Sequence, residues 1–328
     1  MDLRLLFIGD VMLGRLVNDA LERVGPEYPW GDTIPIFREA DWRACNLECV
    51  ISDRGRPWGI TPKEFHFRSD ARNVAVLKAA GIDAVSLANN HTLDYEYDAM
   101  FEMLAILDRE HIAHAGAGVN LAEASAPAIS NVKGRSVGLI AFTDNQPEWA
   151  VQSDRSGIFY VPPQPEDERA QRLLEVVRRA KQKVGFVIVS AHWGPNWGYE
   201  PPAEHVRFGH ALIDAGADII FGHSGHVFRG VEIYKRRPII YCAGNFIDDY
   251  AVDEIERNDR SCIFVVDIRS GSIRGMRLYP TIIADFQARL APEVEAQRIA
   301  SKMRELCRKL KTRARWLEAE RRLEISIA

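Results

Sequence analysis

Leu212–Val227 reads LIDAGADIIFGHSGHV, and this stretch decides the fold. A helical pattern over Ala203–Ala215 gives way to a short apolar strand over Asp218–Phe221. The strand runs straight into Gly222-His223-Ser224-Gly225-His226. A helix, then a buried strand, then a polar turn is the repeating unit of α/β proteins. The glycines let the turn aim two imidazoles, the commonest side-chain ligands of transition metals, at one point.

Working outward, the same ending recurs. Leu3–Ile8 runs into Gly9-Asp10, and Ala84–Leu87 into Asn89-Asn90-His91. Phe186–Ser190 runs into His192-Trp193-Gly194, and Pro238–Tyr241 into Gly244-Asn245. Val137–Ala141 and Cys262–Ile268 are further strands. Further helices are expected over Ala71–Ala80, Tyr95–Glu110, Pro165–Gln182 and Glu293–Arg315. Ligands of α/β sheets gather at the carboxyl ends of strands, so these polar clusters point to one convergent site.

Asp10, Glu48, Asn90, His192, His223 and His226 together supply three kinds of metal ligand. Glu48 lies in the otherwise apolar run Cys45 to Ile51, where a buried carboxylate needs a positive partner. His91 is placed to act as an acid or to stabilise charge, and Asn89 and Asp94 flank it. Asp94 also reads as a helix cap. Trp193, Asp144, Asn145, Asn245 and Asp248 are candidates to support the ligands or touch substrate. His205 and His210 read as helix-surface or capping residues. This ligand set suffices for two divalent ions that activate water and clamp a phosphoryl oxygen.

Composition sets the outer limits. The chain has 328 residues, 47% apolar and 27% charged, with a net charge of −4. It is long enough to bury a core without staples. From residue 293 onward there are ten Lys/Arg against six Asp/Glu, so +4 there and −8 elsewhere. Ile299, Met303, Leu306 and Leu310 follow a helical period. Residues 1–291 are therefore expected to form the catalytic domain, and 292–328 an amphipathic helical tail packed on it. The tail's basic face is a candidate surface for an acidic partner or a homodimer. The charge balance gives no sign of a nucleic-acid binder. Five scattered cysteines read as buried thiols. The longest apolar runs are too short for a signal core or a membrane span, so a soluble, cytoplasmic protein is expected. No P-loop, dinucleotide fingerprint or nucleophile elbow occurs.

In this order the motifs resemble the CapA family of poly-γ-glutamate capsule synthesis proteins, within the calcineurin-like metallophosphoesterase superfamily. The resemblance rests on Gly9–Arg15 (GDVMLGR), Asn46–Glu48 (NLE) and Ser86–Tyr95 (SLANNHTLDY). His192–Gly194 (HWG), Leu212–Val227 and Pro238–Phe246 (PIIYCAGNF) complete it, reaching to about Asp267. It implies an α/β fold, a four-layer α/β/β/α sandwich of two mixed sheets. It implies two divalent ions, Mn, Fe or Zn, held by Asp10, Glu48, Asn90, His192, His223 and His226. His91 would be the substrate-facing group. Met12 stands where the superfamily carries a ligating histidine, and Glu48 where it carries a bridging aspartate. His223 and His226 are separated by one residue more than in the usual pair. Pro195-Asn196-Trp197 stands where many relatives place a glutamate. The implied activity is hydrolysis of a phosphoester, linked to polyglutamate or capsule metabolism. Two alternatives stay open: a metal-independent peptide epimerase using Asp10, His91, His223 and His226 as acid and base, and a non-catalytic assembly protein for the capsule polymer.

Overall fold

The computed structural model describes residues 2–327. The chain lays down its strands in three instalments. β1 (Leu3–Val11), β2 (Trp42–Leu47), β3 (Ala84–Ser86) and β4 (Ala113–Ala115) lie side by side and parallel. Next come β5 (Ala128–Val132), β6 (Arg135–Thr143), β7 (Phe186–His192), β8 (Ile219–His223), β9 (Val231–Tyr234) and β10 (Arg237–Ile240). They form a second, six-stranded sheet in the order β9-β10-β8-β7-β6-β5. The chain then returns to the first sheet. β11 (Arg260–Arg269), β12 (Ser272–Ala284), β13 (Ala314–Leu317) and β14 (Arg322–Ser326) extend it antiparallel from the other side of β1. Asn245–Ile247 beside β1 and Gln287–Leu290 beside β12 complete ten strands. Both sheets are mixed, as expected.

The layering follows from side-chain alternation along each strand. On β1, Leu3, Leu5 and Phe7 face the second sheet, while Leu6 and Ile8 face helices. On β7, Phe186 and Ile188 face the first sheet, while Val187 and Val189 face helices. Phe7 and Phe221 meet between the sheets with ring centroids 5.3 Å apart. Outside the first sheet lie Arg15–Leu21, Val74–Ala79 and Glu96–Arg109; outside the second lie Glu168–Lys181 and Ala203–Ala215. Glu168–Lys181 shows why such helices form. Asp167 accepts the Arg169 N–H at its start, Leu173, Leu174, Val177 and Ala180 make one buried stripe, and Arg178, Arg179 and Lys181 suit the dipole at its end. The order is helix, sheet, sheet, helix, as the motif resemblance implies.

Two features differ from the sequence reading. The strands do not stop before their polar residues. β1 runs through Asp10 to Val11, β7 includes His192 and β8 includes His223. The functional side chains are therefore fixed by ladder hydrogen bonds. Gly9 makes this possible in β1, because a Cβ there would lie 1.7 Å from the Gly244 carbonyl oxygen.

The tail also differs. It is helical only over Glu293–Lys309, and β13 and β14 then form a hairpin that joins the first sheet. Ile299, Met303, Leu306 and Cys307 are buried in the core between the sheets. The helix also covers β9, the open edge of the second sheet. Val231 N–H donates to Cys307 Sγ (3.4 Å) and Ile233 N–H to Thr312 Oγ1 (3.0 Å), which blunts an edge otherwise free to pair with another chain. A helical period cannot reveal this, because the residues that pair with β12 lie beyond the helix.

All five cysteines are buried and free. Among the described residues no helix is long and apolar enough to cross a membrane.

Met303 is fully buried. Met303→Ala should therefore destabilise the whole chain by about 2–5 kcal/mol. In urea, far-ultraviolet dichroism and tryptophan fluorescence should report one coincident transition. A separate early transition for the tail would show that it is not part of this core.

Candidate metal centre

β7 and β8 are parallel neighbours in the register His192↔His223, so both imidazoles project from the same face. Across the sheet interface β1 brings Asp10. Asp10, His192 and His223, all buried, each offer a ligand atom within 4.8 Å of the others. The two ring Nδ1 atoms lie 2.9 Å apart. Burial holds both rings neutral, His192 well below its ordinary pKa and His223 down to about 3. One Nδ1 must then donate to the other.

The neighbours fix the direction. His192 Nε2–H donates to Asn90 Oδ1 (2.8 Å), which leaves its Nδ1 as the acceptor for His223 Nδ1–H. Ser190 Oγ–H in turn donates to His223 Nε2 (2.7 Å). On the far side Asn90 Nδ2–H donates to His91 Nε2 (3.1 Å), and His91 Nδ1–H to Asp94 Oδ2 (2.6 Å). Six residues thus form one directed chain of donors from Ser190 to Asp94. A cation bound between the Nδ1 atoms would need both as acceptors, so His223 would take its other tautomer, with Nε2–H donating to Ser190 Oγ.

The carboxylates are the counterpart. Asp10 Oδ2, Glu48 Oε2 and Asp248 Oδ2 are buried, and among the described residues no N–H or hydroxyl donor reaches them. Burial raises the Asp10 carboxyl, drives Glu48 well above the usual range, and pushes Asp248 up to about 8, the neighbouring acids adding to the last two. Buried carboxylates without a positive partner are costly. The donor set of neutral imidazoles, an amide oxygen and buried carboxylates suits divalent cations, and these residues fit the ions the motifs imply.

His226 (φ 53°) and Ser224 (φ 96°), two residues before it, both lie in the left-handed region. Its Nδ1–H donates to Asn245 Oδ1 (3.0 Å), leaving Nε2 as the free acceptor on the cleft side. Asn245 thus orients a ring, as a supporting residue does. Asn89 is a bracket below the site. Its amide donates to Asn46 Oδ1 and Leu47 O, and its oxygen accepts from His91 N and Thr92 Oγ1.

Three expected residues lie elsewhere. Trp193 is buried, stacks on His205 at 4.7 Å and donates to Tyr241 O. Asp144 accepts from Gly194 N and lines a separate depression with Tyr160, Pro202 and His205. Asn145 is tied to Asp144 Oδ1. His205, expected at a helix surface, is 2% exposed beneath Trp193. His210 bonds Glu232 at 2.9 Å and stacks on Tyr234.

The sequence reading missed Asn46, Lys63, Phe67 and Tyr250. Asn46 pairs with Asp10 in register and donates to its Oδ1 (2.8 Å). Its place in the Asn46-Leu47-Glu48 motif was a usable signal. Phe67 stacks on His91 at 4.0 Å, and the Arg15 guanidinium lies 4.8 Å over its ring. Lys63 Nζ donates to Asn90 O (2.6 Å) and pairs with Asp94 Oδ1 (3.2 Å). Lys63 and Phe67 come from an irregular segment that no periodicity marks. With Trp197, His226 and Tyr250 they line a cleft of about 680 Å³ above His91.

The two-sheet sandwich with imidazoles and carboxylates at its strand ends places the chain in the metallophosphoesterase-like class. Within that class, the chain belongs to the family described as bacterial capsule synthesis protein PGA_cap, which matches residues 4–250. A probable polyglutamine synthesis accessory protein of Mycobacterium tuberculosis is 30% identical over 314 residues, 92% of this chain and 82% of that protein. The PGA biosynthesis protein CapA of Bacillus subtilis is 31% identical over 245 residues, 74% of this chain and 62% of that protein. The crystal structure of a hypothetical protein from Thermus thermophilus shares the fold, with a TM-score of 0.51 and 19% identity, over 84% of this chain and 98% of that one.

The shifts set a pH dependence for the metal-depleted protein. A raised carboxyl stabilises fully below its unfolded value near 4 and loses that contribution as pH climbs through its folded value, about 8 for Asp248. The depressed histidines contribute fully above about 6.5 and lose that contribution as pH falls. Between about pH 6.5 and pH 8 only the carboxylates act. The melting temperature of chelator-treated protein should fall across that window, and Mn²⁺ should abolish the fall. A flat profile without metal would contradict the assignment of these buried acids.

Proposed function

We propose that this protein is a metal-dependent phosphoesterase-like hydrolase acting in polyglutamate or capsule-polymer metabolism. The observation that carries the reading is the group of buried, unpartnered carboxylates beside neutral imidazoles. The polymer link is supported by the names of the Mycobacterium and Bacillus relatives.

Asp10, His192 and His223, with Asn90, would hold one divalent ion, and Glu48 and His226 would serve a second. When bound, the pair would make water a better nucleophile at neutral pH and offset charge on a phosphoryl oxygen. The chain's own residues do the rest. The wall cations are already committed, Arg15 to Asp249 and Lys63 to Asp94. An anionic substrate therefore finds no free side-chain cation among those two, and its capture depends on the ions. Phe67 holds the His91 ring from one face, and Asp94 fixes its Nδ1–H. His91 Nε2 is then the atom that exchanges a proton with the leaving oxygen. Burial lowers the His91 pKa and Asp94 opposes that, so an anionic group in the cleft favours the protonated ring. The same buried acids support hydrolysis over the metal-independent epimerase, which would employ Asp10 but has no use for Glu48 and Asp248 buried beside it.

Purified protein should contain Mn, Fe or Zn by elemental analysis and hydrolyse aryl phosphate mono- or diesters after metal loading. His91→Asn should lower kcat by about 10²–10⁴ with metal content unchanged. Absence of bound metal, together with no hydrolysis under any of the three ions, would overturn the reading. Deuterium uptake at a peptide Cα by the metal-free protein would favour the epimerase instead.

A further inference from the structure

The donors near Asp10 are unevenly divided. On the β7–β8 side they are imidazole nitrogens and an amide oxygen. On the other side lie Glu48, the free Nε2 of His226, and the segment following Gly244. That segment runs parallel to β1 with Asp10↔Asn245 and Val11↔Ile247, and Met12 N–H donates to Ile247 O (2.9 Å). Continuing this register by one residue sets Asp248 beside Met12. Met12 offers nothing to the centre, because its Sδ is turned back to accept from Gly14 N–H (3.0 Å).

Asp248 has the marks of an unfilled ligand. It is 5% exposed. Its Oδ1 accepts from Tyr250 N–H (2.9 Å), which fixes the carboxylate plane, while Oδ2 is buried with no partner. No ion pair among the described residues involves it. The nearby cation, Arg15, is taken by Asp249. Asp10 and Glu48 each carry an unpartnered oxygen of the same kind. Among the described residues no N–H or hydroxyl donor reaches these three oxygens, and those of Asp10 and Glu48 have only each other's carboxyl group within reach.

We propose that Asp248 is a direct ligand of the second ion, in a carboxylate-rich pocket shared with Asp10, Glu48 and His226. This rests on the metal-dependent reading above. Asp248 supplies the donor that Met12 does not. The two pockets then differ in chemistry. The one built on His192 and His223 takes a borderline, nitrogen-preferring ion, while the Asp248 pocket takes a harder, oxygen-preferring one such as Mn²⁺ or Mg²⁺.

The test is Mn²⁺ titration of chelator-treated full-length protein by calorimetry, with electron paramagnetic resonance to detect spin coupling between neighbouring ions. Wild type should bind two ions and show the coupled signal. Asp248→Asn should retain one ion, lose the coupled signal and weaken the second site by at least about 100-fold, more than loss of an outer-sphere partner costs. The substitution removes a buried carboxylate, so it should raise the melting temperature of the metal-depleted protein. Asp248→Ser carries the same expectation should the amide disturb folding. Two ions bound with unchanged affinity in both variants would overturn the assignment and leave the hydrolase reading intact. One ion in wild type would also overturn it. No ion in wild type would overturn both.

Discussion

The Nδ1 atoms of two imidazoles are held 2.9 Å apart in the interior by adjacent parallel strands, and the centre depends on that contact. His192 and His223 cannot separate without breaking the β7–β8 ladder. Their neutrality, imposed by burial, forces one ring to donate to the other. Asn90 settles which ring donates and so the direction of the hydrogen bonds from Ser190 onward, and Asp94 settles which nitrogen of His91 faces the cleft. The geometry of the candidate centre is thus inherited from a strand register and from desolvation. Loops contribute Glu48, Asn90, His91 and His226 as well as the walls.

The sandwich exists to make such a contact possible. A single sheet could bring His192 and His223 together, but Asp10 and Glu48 come from the other sheet and its strand end. They meet only because the two sheets pack with Phe7 against Phe221 and their polar strand ends on the same side. The tail extends that packing. Its helix fills the core between the sheets and covers the free edge of β9, and its hairpin continues the first sheet. The +4 charge beyond Pro292 therefore belongs to the outer face of a structural element. The acidic remainder includes Asp10, Glu48 and Asp248, carboxyl groups that never reach solvent.

Much of this was legible. Apolar runs ending in Gly-Asp, Asn-Asn-His, His-Trp-Gly and Gly-His-Ser-Gly-His marked both the strands and the corner where they converge. The Ala203–Ala215 helix was placed to the residue, since its apolar period and Gly216 agree. Trp193 and Asp144 show where reading stopped. Trp193 directly follows the candidate ligand His192 and Asp144 follows the neighbouring strand β6, yet alternation and the turn at Gly194 send them to the back of the sheet against His205. Proximity in sequence to a ligand is not proximity to the site when side chains alternate.

The sequence by itself determined the α/β class, the corner of the fold where the candidate ligands gather, and the residue types found there. Those follow from local periodicity and from polar residues where burial would otherwise be costly. Only the tertiary structure decided which of them touch. The directed hydrogen-bond chain, the pairing of Lys63 with Asp94, the stack of Phe67 on His91 and the place of Asp248 beside Met12 all join segments far apart in the chain. They depend on register and sheet packing, which are properties of the whole core and have no local signature.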